Sequence, residues 1–217
     1  MNKLDRLNNP ISEKTLGSLF PKVGETGGVL GNEIRPVGAV QSRESIMPLC
    51  FGECFNVTPL MISSALSGGT TSTLTYMVHD GPIEAIIEVR DNGIPLELTT
   101  GYTVDVATGT FTLLNAPKGV ITASVQGSKL GGTYSNKVSD IVKYIVTTYG
   151  PANSRFSGTP ITGDLNTDNF TYFASTYTQP VGIYITDREN IIDICTRLAQ
   201  SISAGITCNH EGKLGFV

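Results

Sequence analysis

Apolar and polar positions alternate with a period of two through the middle of the chain. Over residues 101–127, GYTVDVATGTFTLLNAPKGVITASVQG, Tyr102, Val104 and Val106 alternate with Thr103 and Asp105. Beyond Ala107-Thr108-Gly109, Phe111 and Leu113 alternate with Thr110 and Thr112. Beyond Pro117-Lys118-Gly119, Ile121, Ala123 and Val125 alternate with Thr122 and Ser124. Alternation broken by glycine and proline predicts three short antiparallel strands with one shared apolar face, a meander. A tight hairpin here asks Gly109 for a positive φ, which carries no Cβ penalty in glycine.

The same period extends upstream. SIMPLCFGECFNVTPLMI, residues 45–62, reads as one strand with a bulge at Gly52, and SGGTTST as a loop. LTYMVHDGPIEAIIEVRDNGIPLEL, residues 74–98, reads as strand, Asp80-Gly81-Pro82 turn, strand, Asn92-Gly93 turn and strand. With the meander this makes a sheet of about seven strands, closed as a small sandwich or open barrel.

At Gly131-Gly132 the period changes to that of a helix. Val138, Ile141, Val142, Ile145, Val146 and Tyr149 form one stripe, predicting a helix over 136–149 capped by Ser135 or Asn136 and ended by Gly150-Pro151. Asp168 is placed to cap a short helix presenting Phe170, Phe173 and Ala174. VGIYIT reads as a strand. Thr186-x-x-Glu189 has the form of a capping box for a helix over 188–203, with Ile191, Ile194, Cys195, Leu198 and Ile202 inward and Gly205 as terminator. ITCNHEGKLGFV then forms a hairpin turning at Glu211-Gly212, and because the chain stops inside that last strand, the natural polypeptide is expected to continue beyond Val217.

These patterns predict a mainly β, α+β protein in three parts. Residues 1–40 hold Pro10, Pro21 and Pro36 and six glycines from Gly17 to Gly38. They read as an extended arm, with a short helix near Glu13–Phe20, that lies on a neighbouring molecule. Residues 41–131 form the β-rich domain. Residues 132–217 form a separate α+β domain, its helices over 136–149 and 188–203 packed on a small sheet of 181–186, 206–209 and 213–217.

Composition narrows the partners. Charged residues make up 16% of the chain, against roughly a quarter in ordinary soluble domains. Polar surface falls to 26 Thr and 17 Ser, which partners can cover with little desolvation of charge. The net charge is −4 without a Lys/Arg cluster, which argues against nucleic acid. MNKLDRLNNP lacks the apolar core of a signal peptide. The longest uncharged run, Phe55 to Val78, carries Pro59, Gly68-Gly69 and many hydroxyls, so stable membrane insertion is not expected.

Candidate chemistry is sparse. No phosphate loop, G-x-S-x-G, H-E-x-x-H or dinucleotide fingerprint is present. His79 and His210 fall at turns and read as solvated. Glu53, Glu84 and Glu88 could make a glycosidase-like pair only if two came within about 5–10 Å; Glu84 and Glu88 share a strand face by spacing, where solvent-facing charge is the simpler reading. Cys50 and Cys54 form C-x3-C, not the usual zinc spacing. Cys195 is expected to be buried with Cys208 approaching it, all four thiols reduced and metal-free. No catalytic, cofactor-binding or metal residue is assigned.

The segment SDIVKYIVTTYG, followed by NFTYFASTYTQPVGIYITDRENIIDICTRLAQSISAGITCNHEGKLGFV, resembles the hub domain of tailed-bacteriophage, siphophage-like, tail-tip and baseplate hub proteins. The shared pattern is a helix ending in Tyr-Gly, a short Phe-bearing helix, a strand, an amphipathic helix and a hairpin around glycine. Upstream, PLCFGECFNVTPLMI and the stretch from Val89 to Gly127 resemble the β-rich part of such tail proteins. The resemblance implies a structural, non-enzymatic, ring-forming subunit of the virion tail tip. It would be a homotrimer assembled in the bacterial host cytoplasm, linking the tail tube or distal tail protein to tip or fibre proteins. It implies no cofactor. The alternatives are a host-surface module binding a receptor or glycan and, behind it, a cell-wall or capsule hydrolase.

Overall fold

The computed structural model describes residues 7, 8, 10, 11, 14, 45–67, 71–150 and 165–217. The expected helix near Glu13–Phe20 and most of the arm lie outside them. The protein is mainly β with antiparallel sheets and a smaller helical part. Eight strands come first: β1 (Leu49–Val57), β2 (Leu60–Ser67), β3 (Thr71–Met77), β4 (Ile83–Asp91), β5 (Ile94–Pro95), β6 (Tyr102–Asp105), β7 (Thr110–Leu113) and β8 (Ile121–Ser128). Helix α1 (Val138–Tyr149), helix α2 (Thr167–Thr176), strand β9 (Gly182–Ile185), helix α3 (Ile191–Gln200) and the hairpin β10 (Ile206–Cys208) and β11 (Leu214–Phe216) follow.

Hairpins alternate between two sheets. One sheet has the order β5-β4-β8-β1-β9 and the other β2-β3-β7-β6. Between them, Cys54, Val57, Ile83, Val89, Ala123 and Val125 of the first meet Tyr76, Tyr102, Phe111 and Leu113 of the second. The architecture is therefore the sandwich rather than the barrel.

Three local readings change in the fold. The stretch 45–62 is two strands, because Pro59 has no N–H for a ladder and the chain crosses there to the other sheet. Thr71–Thr73, expected in a loop, belong to β3. The meander divides: β6 and β7 pair as a hairpin in the four-stranded sheet, whereas β8 lies between β4 and β1 in the five-stranded one. The crossing loop is held by Asp91, whose carboxylate accepts the Lys118 and Gly119 N–H groups at 2.7 and 2.8 Å. Period two sets which face a residue points to and carries no information on which strand lies alongside.

The turns follow their residue chemistry. Asn92 and Gly93 have φ of 50° and 82°, the pattern of a two-residue hairpin turn. Gly109 takes φ 67°, and its carbonyl accepts the Val78 N–H at 2.9 Å, so the β6–β7 turn packs on the chain before His79.

A second core lies beyond the sandwich. Val138, Ile141, Val142, Ile145 and Val146 of α1, Phe170 and Phe173 of α2, and Ile191, Ile194, Cys195 and Leu198 of α3 converge on Leu49, Phe51, Ile183 and Ile185. The apolar stripes are those the sequence shows, but the caps differ. Ser135 accepts the Lys137 N–H at 3.3 Å, while the N-cap position of α1 is Lys137, which makes no side-chain cap bond. Asn166, not Asp168, caps α2, its side chain accepting from Asn169 N–H at 3.2 Å. Helix α3 begins after Asn190, and Glu189 pairs instead with Arg197 at 2.9 Å. Its last residue is Gln200, and the left-handed residue that closes it is Ser203 rather than Gly205: Ser203 has φ 59°, and the Ala204 and Ser203 N–H groups bond the carbonyls of Ala199 and Gln200. That is the Schellman pattern with a serine at the left-handed position.

One larger expectation is corrected. Strand β9 does not join β10 and β11 in a small sheet: it pairs with β1, from Leu49↔Ile185 to Gly52↔Gly182, so the five-stranded sheet runs across the expected boundary at 131–132. Strands β10 and β11 form a separate hairpin, joined to α2 through Asn169, which accepts the Phe216 N–H at 2.7 Å and donates to its carbonyl at 3.1 Å. The start of the arm packs on its own chain. Leu7 and Ile11 are buried in the helical core, and Ile11 N–H donates to the Glu189 carbonyl at 2.9 Å.

Candidate functional site

His79 is not a solvated turn residue. It follows Val78 at the crossing between sheets and is only 2% exposed. Its Nδ1 accepts the Cys50 N–H at 3.0 Å, and its ring meets Phe51 edge-on with centroids 5.7 Å apart. Burial lowers its pKa to about 4; Asp80 opposes the shift and Lys14 adds to it. The neighbouring Asp80 is paired with Lys14 at 2.7 Å. A neutral imidazole that spends Nδ1 on a backbone amide is a structural acceptor. His210, by contrast, is exposed in the β10–β11 turn, as its position predicts.

The glutamates do not assemble. A bulge in β4 places Ile86 opposite Val125 and Glu88 opposite Ser124, with Ile87 extra. Four residues with one bulged put Glu84 and Glu88 out of phase, so they do not share a face. Glu84 pairs with Lys129 at 3.4 Å and Glu88 with Arg90 at 2.6 Å.

Cys195 is fully buried in the helical core, where burial pushes its thiol up to about 12. Cys208 packs half-buried against the same core, and Cys50 and Cys54 are buried in the sandwich. No disulfide joins any of the four. Among the described residues no three His, Cys, Asp or Glu side chains gather as a metal site.

Two surface features remain. The first is a groove of about 350 Å³ between the 130–135 loop and α1, lined by Leu130, Thr133, Ser135, Asp140, Lys143 and Tyr144. The Ser135 hydroxyl donates to Asp140 at 2.7 Å, so the one carboxylate there is already engaged. Nothing in the groove pairs a nucleophile with a base; it can hold a polar group by hydrogen bonds and one cation. No local motif marks it, because loop and helix face meet only in the fold.

The second is the outer face of the five-stranded sheet. The bulges on β1 and β4 lie on either side of Ser124 in β8, the first spanning Cys54–Val57. The bulge expected at Gly52 thus falls a few residues later. Phe55 and Ile87, one at each bulge, are 64% and 47% exposed. Alternation puts Phe55 on the same face as Leu49 and Phe51, and which of the three the helical core covers is not local to the strand.

No protein-family model, curated protein or solved structure matches the chain. No helix among the described residues is long and apolar enough to cross a membrane.

Proposed function

We propose that the chain is a structural, ring-forming subunit of a phage tail tip, closing a threefold ring through its sheet. The observation that carries this reading is the outer sheet face, where Phe55 and Ile87 stand open at two bulges beside the Glu88–Arg90 ion pair. Such a face can be covered by a neighbour at small electrostatic cost, and repeated head-to-tail contacts of this kind close rings. The scattered histidines and glutamates fit a protein whose task is assembly, as does the resemblance of residues 139–150 and 169–217 to tail hub domains. Native mass spectrometry of the full chain tests it: a trimer is expected, converted to a folded monomer by Phe55→Asp. A parent chain that stays monomeric at all concentrations defeats the ring.

A host-surface binding module is the second reading, favoured by the groove beside Asp140, Lys143 and Tyr144, which lies within the size range of small-ligand sites. Lys143→Ala would then abolish adsorption to host cells and leave the oligomer intact.

A further inference from the structure

Three glycines lie in a row across adjacent strands. Gly52 of β1 stands opposite Gly182 of β9, and the pair Glu53↔Gln126 places Gly127 of β8 on its other side. Two sulfurs occupy the room that these missing side chains leave. A Cβ on Gly127 would come within 3.0 Å of Cys50 Sγ, and one on Gly182 within 2.8 Å of Cys54 Sγ. In a regular strand residues four apart are separated by about 13 Å. The φ of 68° at Gly52 breaks that extension, and Cys54 Sγ folds back to within 3.7 Å of the Phe51 carbonyl. Both thiols belong to the sandwich core, Cys50 with no exposure and Cys54 with 7%. They sense one another: the Cys50 pKa lies well above the ordinary thiol value, through Cys54 first and burial second.

We propose that Cys50 and Cys54 form a dithiol that hydrogen peroxide converts to an intrachain disulfide, Cys54 reacting first and Cys50 resolving. The Cys54 thiolate attacks one peroxide oxygen; the O–O bond breaks, hydroxide leaves and Cys54 becomes a sulfenic acid. Cys50 sulfur then attacks Cys54 sulfur, the S–O bond breaks, and the departing hydroxide takes the Cys50 proton to leave as water. The first hydroxide takes up the proton that the Cys54 thiol released, so two thiols have lost two electrons to peroxide, which ends as two waters. The order follows from burial, since Cys54 keeps 7% exposure and Cys50 none. The bond would tie β1 across the kink where its partners change from β9 to β8. None of this rests on a tail-tip role.

The test uses the folded full chain carrying Cys208→Ser, which removes the half-buried competitor. After peroxide, the protein is unfolded and its remaining thiols are alkylated. Loss of two of the three thiols is expected, with Cys195 alkylated and the peptide spanning 50–54 lighter by two hydrogens until dithiothreitol is added. Adding Cys50→Ser should halt the reaction at a sulfenic acid on Cys54, captured by a dimedone probe. The proposal is overturned if Cys50 and Cys54 are both alkylated in peroxide-treated protein that is folded by circular dichroism. It is equally overturned if Cys54 is oxidised while Cys50 stays free. Mapping of the chain with both cysteines decides even if the Cys50 variant does not fold.

Discussion

The sandwich core and the helical core take alternate residues from one strand. Leu49 and Phe51 of β1 enter the helical core, while Cys50, Cys54 and Val57 enter the sandwich. The sandwich draws its buried residues from one contiguous stretch, 50–125. The helical core collects from residues 7–11, from the start of β1 and from 138–216. Its contacts therefore close much longer loops, whose entropy must be met before any apolar burial rewards it. The helical half depends on a strand that the sandwich already holds in place, and β9 is the element that makes the dependence mutual.

The largest test of that coupling is Ile194→Asp. Ile194 is fully buried in the helical core, and replacing it with a carboxylate removes apolar burial and strands a charge, a loss of about 5 kcal/mol. Phe111→Ala in the sandwich should cost about 3–5 kcal/mol. If the shared strand couples the cores, calorimetry of each variant shows one transition moved downward. Two separated transitions would make the halves independent.

Next comes the seam itself. A Cβ on Gly182 would run into the Glu53 carbonyl. Gly182→Ala should cost about 3 kcal/mol and raise hydrogen exchange in β9 and α3 more than in β6 and β7. Equal exchange in all four would place the seam elsewhere.

His79 sharpens the comparison through pH. Its folded pKa is about 4, below the ordinary 6.5. Between those values the unfolded chain binds the extra proton, so stability falls as pH drops from about 6.5 to about 4, by about 3 kcal/mol in total. Above 6.5 both states are neutral and the contribution is constant. Denaturant melts at stepped pH should show this slope, and His79→Gln should flatten it.

A smaller effect lies at the end of α3. Ser203 holds a left-handed φ that costs a non-glycine residue about 1 kcal/mol. Ser203→Gly should raise the melting temperature, provided α3 melts with the rest. His210→Ala and Glu84→Ala should stay within about 0.5 kcal/mol and leave assembly unchanged.

Much of the local structure was legible. The stripe on α1, the buried face of α3, the Asn92-Gly93 turn and the conformation of Gly109 follow from side-chain period and from what glycine permits. Cap residues were harder to place. Ser135, Asp168 and Thr186 all have capping chemistry, yet the helices start beside Lys137, Asn166 and Asn190, because tertiary packing chooses the starting turn. The surface candidates were hidden for a different reason. Phe55 lies in phase with Leu49 and Phe51, and only the fold shows that the helical core covers those two and leaves Phe55 open.

What the sequence determined by itself is the set of elements and their inward faces, since both depend on residues within a turn or two of one another. Strand partners were decided only in the tertiary structure. Hydrogen-bond ladders are chemically alike, so nothing local to β8 distinguishes β7 from β1 as a neighbour, and nothing local to VGIYIT separates the last hairpin from a strand some 130 residues upstream. The choice is made where shapes must fit: Gly182 faces Gly52, and at that crossing any larger residue would strike the backbone opposite.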